Sequence, residues 1–158
     1  MVNEFEMKTH VNQKRRSMLL GAALLSLLHR LPAHATPLDA ATAMRAISGT
    51  TRTQAGRVRL DIPPLVENGN LVVMRVSVQS PMTDSDYVKA VHVIAEANPL
   101  PNVFSAYLGP RAGRAEMSFR ARLATTQRVW ALAQMSDGSV WTGYADVLVT
   151  LAACTESP

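Results

Sequence analysis

Cysteine is nearly absent from this chain: one thiol, Cys154, stands among 158 residues. A single cysteine excludes an intramolecular disulfide and leaves an intermolecular bond or a reactive thiol as its uses. Histidine is almost as scarce, at four residues, and His10, His29 and His34 all fall within the first 35 positions. Beyond residue 35 only His92 and Cys154 remain. Clustered His/Cys zinc ligands cannot be assembled from that pair within one chain, and a Cys–His nucleophile would require the two to meet. Long apolar runs are also missing. The best, Met18 to Leu28, is shorter than the roughly 20 residues a membrane span needs, and His29 and Arg30 close it. No charge of one sign dominates either. Lys8, Lys14, Arg15, Arg16 and Arg30 against Glu4 and Glu6 account for most of the net charge of +4. Without the first 35 residues, 11 basic and 10 acidic residues remain. The basic footprint of a nucleic-acid binder is then gone.

What the first 35 residues do contain has the order of an export signal. Lys14-Arg15-Arg16-Ser17-Met18-Leu19-Leu20 joins paired arginines to the apolar run, and Pro32-Ala33-His34-Ala35 offers a small-residue cleavage site after Ala35. Basic, apolar and small-residue regions in that order are the secretory pattern, and the twin arginine points to the twin-arginine route. Residues 1–35 are therefore expected to be a removable signal, leaving 123 residues in the periplasm, free of the membrane and enough for one domain.

Residues 36–56 read as a short helix, Thr36 to Met44, followed by a loop from Ser48 to Gly56. From Arg57 the apolar period becomes two. Val58, Leu60 and Ile62 alternate with Arg57, Arg59 and Asp61; Val72, Met74, Val76 and Val78 alternate with Arg75, Ser77 and Gln79. Met117 to Leu123 and Val129 to Met135 behave alike, and Val88 to Glu96, Val103 to Leu108 and Val140 to Leu151 add further strands, the last long enough to contain a bend or bulge near Gly143. Clusters of Gly, Pro, Asn and Asp punctuate them, and Ser136-Asp137-Gly138 is a hairpin signal. About seven short antiparallel strands over residues 57–151 predict an all-β, immunoglobulin-like sandwich.

The last strand leads straight to the thiol. Val147-Leu-Val-Thr-Leu151 alternates, and Ala152-Ala-Cys-Thr-Glu-Ser-Pro158 then offers little to pack. A cysteine on such an arm, residues 152–158, is expected to stay accessible. Its flanks do not activate it: no Lys or Arg lies in the tail, and Glu156 disfavours ionisation. Activation would come from a partner's pocket. Leu151-Ala-Ala-Cys154 has the form of a lipoprotein box, but at the wrong end of the chain for lipidation.

Four segments in order resemble the SoxY family of periplasmic thiosulfate oxidation: Glu67-Asn68-Gly69, Ala97-Asn98-Pro99-Leu100-Pro101 with Phe104, Ala133-Gln-Met-Ser-Asp-Gly138, and Val149-Thr150-Leu151-Ala-Ala-Cys154. The resemblance implies an immunoglobulin-like sandwich paired with a SoxZ-like sandwich subunit. It implies sulfur intermediates attached covalently to Cys154, no cofactor, and no catalysis by the chain itself. A haem-containing enzyme would load the arm and a hydrolase would release sulfate from it. The family arm carries glycines on both sides of its cysteine; here Ala152, Ala153 and Thr155 stand there, and alanine is stiffer than glycine.

Other residues carry blander expectations. His92, inside Val91-His-Val-Ile94, reads as a strand residue on a solvent or interface face. Trp130 and Trp141 flank the Asp-Gly turn and could pair across strands, pack in the core or anchor a partner, with packing favoured. Arg120 and Arg122 read as a solvated polar face, and Asp84 with Asp86 as turn residues rather than a carboxylate pair. Besides the carrier, an exported interaction module with an incidental Cys154 and an enzyme remain as readings, the last weakest.

Overall fold

The computed structural model describes residues 37–151. Residues 1–36, with the expected cleavage site at Ala35, and residues 152–158, with Cys154, lie outside the described residues. Helix α1, Pro37–Ser48, is followed by nine strands: β1 Thr53–Ala55, β2 Val58–Asp61, β3 Leu65–Asn68, β4 Val72–Val78, β5 Val88–Ala95, β6 Asn102–Tyr107, β7 Ala115–Ala121, β8 Gln127–Met135 and β9 Val140–Leu151.

The strands form a two-sheet sandwich, as the alternation predicted. The smaller sheet has the order β2-β4-β7, and the larger runs β1-β9-β8-β5-β6, with β3 also on β9. In β4 the burial alternates strictly, because Val72, Met74, Val76 and Val78 face the core while Val73, Arg75 and Ser77 face out. The core fills the space between the sheets with Val58, Leu60, Met74 and Val76 from one side and Val91, Val93, Val129, Ala131 and Val147 from the other. Phe104 of β6 stacks on Phe119 of β7 with centroids 3.9 Å apart, joining the two sheets at one edge.

Strand β5 does not alternate, since Val88 and Ala90 to Ala95 are all buried. Its second face is covered by α1. Ala40, Ala43, Met44 and Ile47 recur at helical spacing and pack on Ile94, Leu132 and Trp130. The helix runs four residues past the expected Met44 end. It stops at Gly49, whose φ of 59° is the left-handed conformation glycine adopts freely. The Gln134 amide donates to the Ile47 carbonyl at 2.6 Å and fixes this end to β8.

Two strands, β1 and β3, were not expected. Both are short, and both run parallel to β9, β1 against Val140 to Thr142 and β3 against Leu148 to Leu151. Between them the chain leaves for the smaller sheet as β2. It crosses β9 at Gly143, where a Cβ would strike the backbone of Val58. Only glycine admits that crossing; the ladder to β8 keeps one register through Gly143, so no bulge interrupts β9 there.

Candidate functional site

The candidate site is the root of the tail, where β9 delivers the chain toward Cys154. Both edges of β9 are occupied. Strand β8 pairs with it from Gln127↔Val147 to Gln134↔Val140. On the opposite edge the Leu148 amide donates to the Pro64 carbonyl at 2.9 Å, and β3 continues the ladder to Asn68↔Leu151. Past the end of the β8 ladder, the Thr126 hydroxyl replaces backbone. It accepts from the Val149 amide at 3.0 Å and lies 3.3 Å from the Val149 carbonyl.

Gly69 closes the end. Its amide donates to the Leu151 carbonyl at 2.8 Å, and its carbonyl accepts from the Leu123 amide at 2.9 Å. A Cβ at Gly69 would collide with the Leu123 carbonyl. Glu67-Asn68-Gly69, read from sequence as a turn, is therefore the end of a strand and a bridge between two others. The side chain of Asn68 then caps the turn, accepting from the Asn70 amide at 2.9 Å.

A buried amide pair holds the next layer. Asn98 donates to the Arg122 carbonyl at 2.8 Å and accepts from the Ala124 amide at 2.9 Å and from Gln127 Nε2 at 3.0 Å. Gln127 also accepts from the Ala97 amide at 2.8 Å and donates to the Thr125 carbonyl at 3.0 Å. Segment 122–127 is thus tied to the 97–101 loop, to Gly69 and to β9 at nearly every residue. Three of the four segments that resemble the SoxY family meet at this root. The other, Ala133 to Gly138, forms the hairpin at the far end of β9, with Gly138 at φ 84°.

Beside the root opens a groove of about 470 Å³ lined by Asn70, Leu71, Asn98, Asn102, Arg120 and Arg122, among others. Both arginines are exposed, and among the described residues neither guanidinium has a carboxylate partner. The sequence placed both on a polar strand face; Arg120 lies on β7, but Arg122 lies just past its end, and that the 97–102 loop walls them into a groove has no local signal.

His92 is a strand residue, as expected, but it does not face solvent. It lies on the outer face of the larger sheet but is only 7% exposed, under Tyr107, whose ring meets it edge-on at 5.9 Å. Its Nδ1 is 2.8 Å from the Ser105 hydroxyl. Burial pushes its pKa below the ordinary value, opposed by a hydrogen bond with Gln134. The tryptophans pack, as favoured, but on opposite faces. Trp141 lies against the main core with Arg57 over its ring, and Trp130 sits beneath α1, donating to Glu96 at 2.6 Å. Asp86 approaches Arg57 at 3.9 Å and forms no pair with Asp84. Among the described residues no group of three or more His, Cys, Asp or Glu could hold a metal ion.

A family model, sulfur oxidation protein SoxY, matches residues 44–154, more than two thirds of the chain. The chain belongs to the SoxY family. The matched range ends on Cys154 itself. Among solved structures, the chain is similar to the sulfur carrier protein SoxY from Chlorobium limicola f thiosulfatophilum, with 25% identity and a TM-score of 0.62. That match covers 73% of this chain and 100% of the other. A superoxide reductase (neelaredoxin) from Ignicoccus hospitalis shares the fold at 15% identity and a TM-score of 0.53, covering 60% of this chain and 80% of that one. A superoxide reductase from Nanoarchaeum equitans does so at 13% identity and 0.51, covering 62% and 100%. These two likenesses concern fold alone. No curated protein matches the chain.

Proposed function

We propose that this SoxY-family protein is an exported, non-catalytic sulfur carrier that binds sulfur intermediates covalently on Cys154 during thiosulfate oxidation. The observation that carries the reading is the family match running through to residue 154, the only cysteine in the chain. The likeness to a sulfur carrier protein, over 73% of this chain and 100% of the other, supports it. The root of the tail suits the role mechanically. Strand β9 is held by β8 and Thr126 as far as Val149 and by β3 and Gly69 as far as Leu151, which suits a fixed mount for the tail. The proposed partners are a SoxZ-like subunit, a haem-containing loading enzyme and a sulfate-releasing hydrolase, in the periplasm after twin-arginine export and cleavage at Ala35.

The test is the intact mass of the exported protein, recovered without reductant from cells given thiosulfate. A reducible sulfur adduct, absent in the Cys154→Ser variant, is the expected result. A bare thiol in cells whose loading enzymes are active would overturn the carrier reading. An interaction module, the alternative, predicts that Cys154→Ser keeps full function.

A further inference from the structure

We propose that the groove beside the root of the tail is a resting site for the anionic group carried on Cys154, with Arg120 and Arg122 as its cation contacts. The inference rests on the carrier reading and adds a site for the cargo on the carrier itself. The chemical class of ligand is a sulfur chain ending in a sulfonate, such as a thiosulfonate on the thiol.

Position comes first. Asn70 follows the glycine that holds Leu151, and Arg122 precedes the leucine that binds that same glycine. The groove therefore begins where β9 ends. Cys154 lies three residues beyond Leu151, and an extended chain advances about 3.3–3.6 Å per residue. Three residues span about 10 Å at most, a short tether from the point where Leu151 meets Gly69, the neighbour of Asn70.

Charge is the second argument. Arg57, Arg59, Arg75 and Arg128 each face a carboxylate, at 3.9, 2.8, 3.8 and 2.7 Å. Arg120, on β7, and Arg122, just past its end, have none among the described residues, although they line one groove. Glu116, on the same face, is drawn to Arg75 instead. Two uncompensated guanidiniums create a standing positive potential, and their planar forks suit oxyanions better than an ammonium would. The amides of Asn70 and Asn102 supply neutral donors along the same walls.

The third argument is chemical. Attaching a sulfonate-terminated sulfur chain converts a neutral thiol into a permanent anion. The tail's own Glu156 is also negative and there is no cation in residues 152–158. Loading therefore increases the attraction between tail and groove, so the groove distinguishes a loaded arm from an empty one.

The experiment loads the arm without enzymes. The signal-free protein is treated with tetrathionate. The Cys154 thiolate attacks an inner sulfur, forms an S–S bond, and expels thiosulfate with the bonding electron pair: RS⁻ + S₄O₆²⁻ → RS–S–SO₃⁻ + S₂O₃²⁻. A second sample is capped with iodoacetamide, which leaves a neutral thioether. The side-chain N–H signals of Arg120, Arg122, Asn70 and Asn102 are followed by NMR, with Arg75 as the paired control. The thiosulfonate should shift the four groove signals and leave Arg75 unmoved. The neutral cap should not, and about 1 M salt should erase the shifts by screening. In the R120Q/R122Q variant the remaining Asn70 and Asn102 shifts should vanish; both arginines are exposed, and the single variants serve if the double variant folds poorly. Equal shifts with the neutral cap, or Asn shifts that survive loss of the arginines, would overturn the proposal. Because loading is chemical, a failed groove leaves the carrier reading standing. A bare thiol in cells would leave this result untouched.

Discussion

Gly69 holds Leu151 by a single backbone hydrogen bond of 2.8 Å while its own carbonyl, facing the other way, accepts from Leu123 at 2.9 Å. One residue without a side chain thus connects the last strand to the loop that follows β7. The buried position leaves no room for a methyl group, because the Leu123 carbonyl occupies it. Gly69→Ala should therefore destabilise the domain by about 1–3 kcal/mol, the usual cost of overpacking. Urea unfolding measures the loss, and amide exchange at Leu123 and Val149 should accelerate more than at Val76. An unchanged midpoint would mean that the backbone yields at no cost.

Asn98 satisfies three groups at once, on Arg122, Ala124 and Gln127. Truncation to alanine orphans buried donors and an acceptor, each worth about 1–3 kcal/mol when left unmade. Asn98→Ala should lower stability by at least that amount. Asn98→Asp keeps the acceptor and loses the donor to Arg122, so it should fall between the two. Equilibrium unfolding of the three proteins orders them.

The stacked pair Phe104 and Phe119 joins the sheets. Single substitutions to leucine and the double substitution form a cycle whose coupling should be about 0.5–1.5 kcal/mol, the value for aromatic pairs beyond their burial. A coupling near zero would assign the contribution to area alone.

His92 makes stability depend on pH. Its folded pKa is lowered by burial, whereas the unfolded value is about 6.5. The unfolded chain therefore binds a proton first as pH falls. The contribution is present above the unfolded value and is lost on acidification through it toward the lower folded value. Unfolding midpoints should drop between about pH 7 and pH 5. His92→Gln, which preserves a polar contact for Ser105, should flatten that slope. An unchanged slope would place its source elsewhere.

The Arg128–Asp146 pair acts at lower pH. Hydrogen bonds at 2.7 and 3.0 Å hold the carboxyl of Asp146 below its usual range. Its contribution exists above the unfolded carboxylate value and disappears as pH falls through the depressed one. Both groups are exposed, so Asp146→Asn should leave neutral-pH stability nearly unchanged. Acid titration of the two proteins checks this.

The sandwich was legible wherever burial on one face imposed a period of two, as in β4 and β7. The helix extension past Met44 was missed, although Ile47, three residues on and on the same face, carried its signal. Strands β1 and β3 were not, because three or four residues carry no period and their partner is about 80 residues away. Pro63-Pro64 beside β3 also reads as punctuation. Cys154 stands out in the sequence by scarcity and by its place past the last strand, and it lies outside the described residues. The network around Asn98 was not, because an amide pair separated by 29 residues leaves no local signature. The groove was hidden for the same reason: Arg120 and Arg122 read as ordinary surface until the 97–102 loop is folded against them.

The placement of β1 and β3 on the far edge of β9 has a mechanical consequence. A force applied at Leu151 along the strand direction acts on the axis of β9. Strands β8 on one side and β1 and β3 on the other resist that pull through hydrogen bonds perpendicular to it. The bonds are loaded together in shear, not opened one after another like a zipper. Tension applied at the tail therefore spreads across both edges of the strand before any single bond can yield.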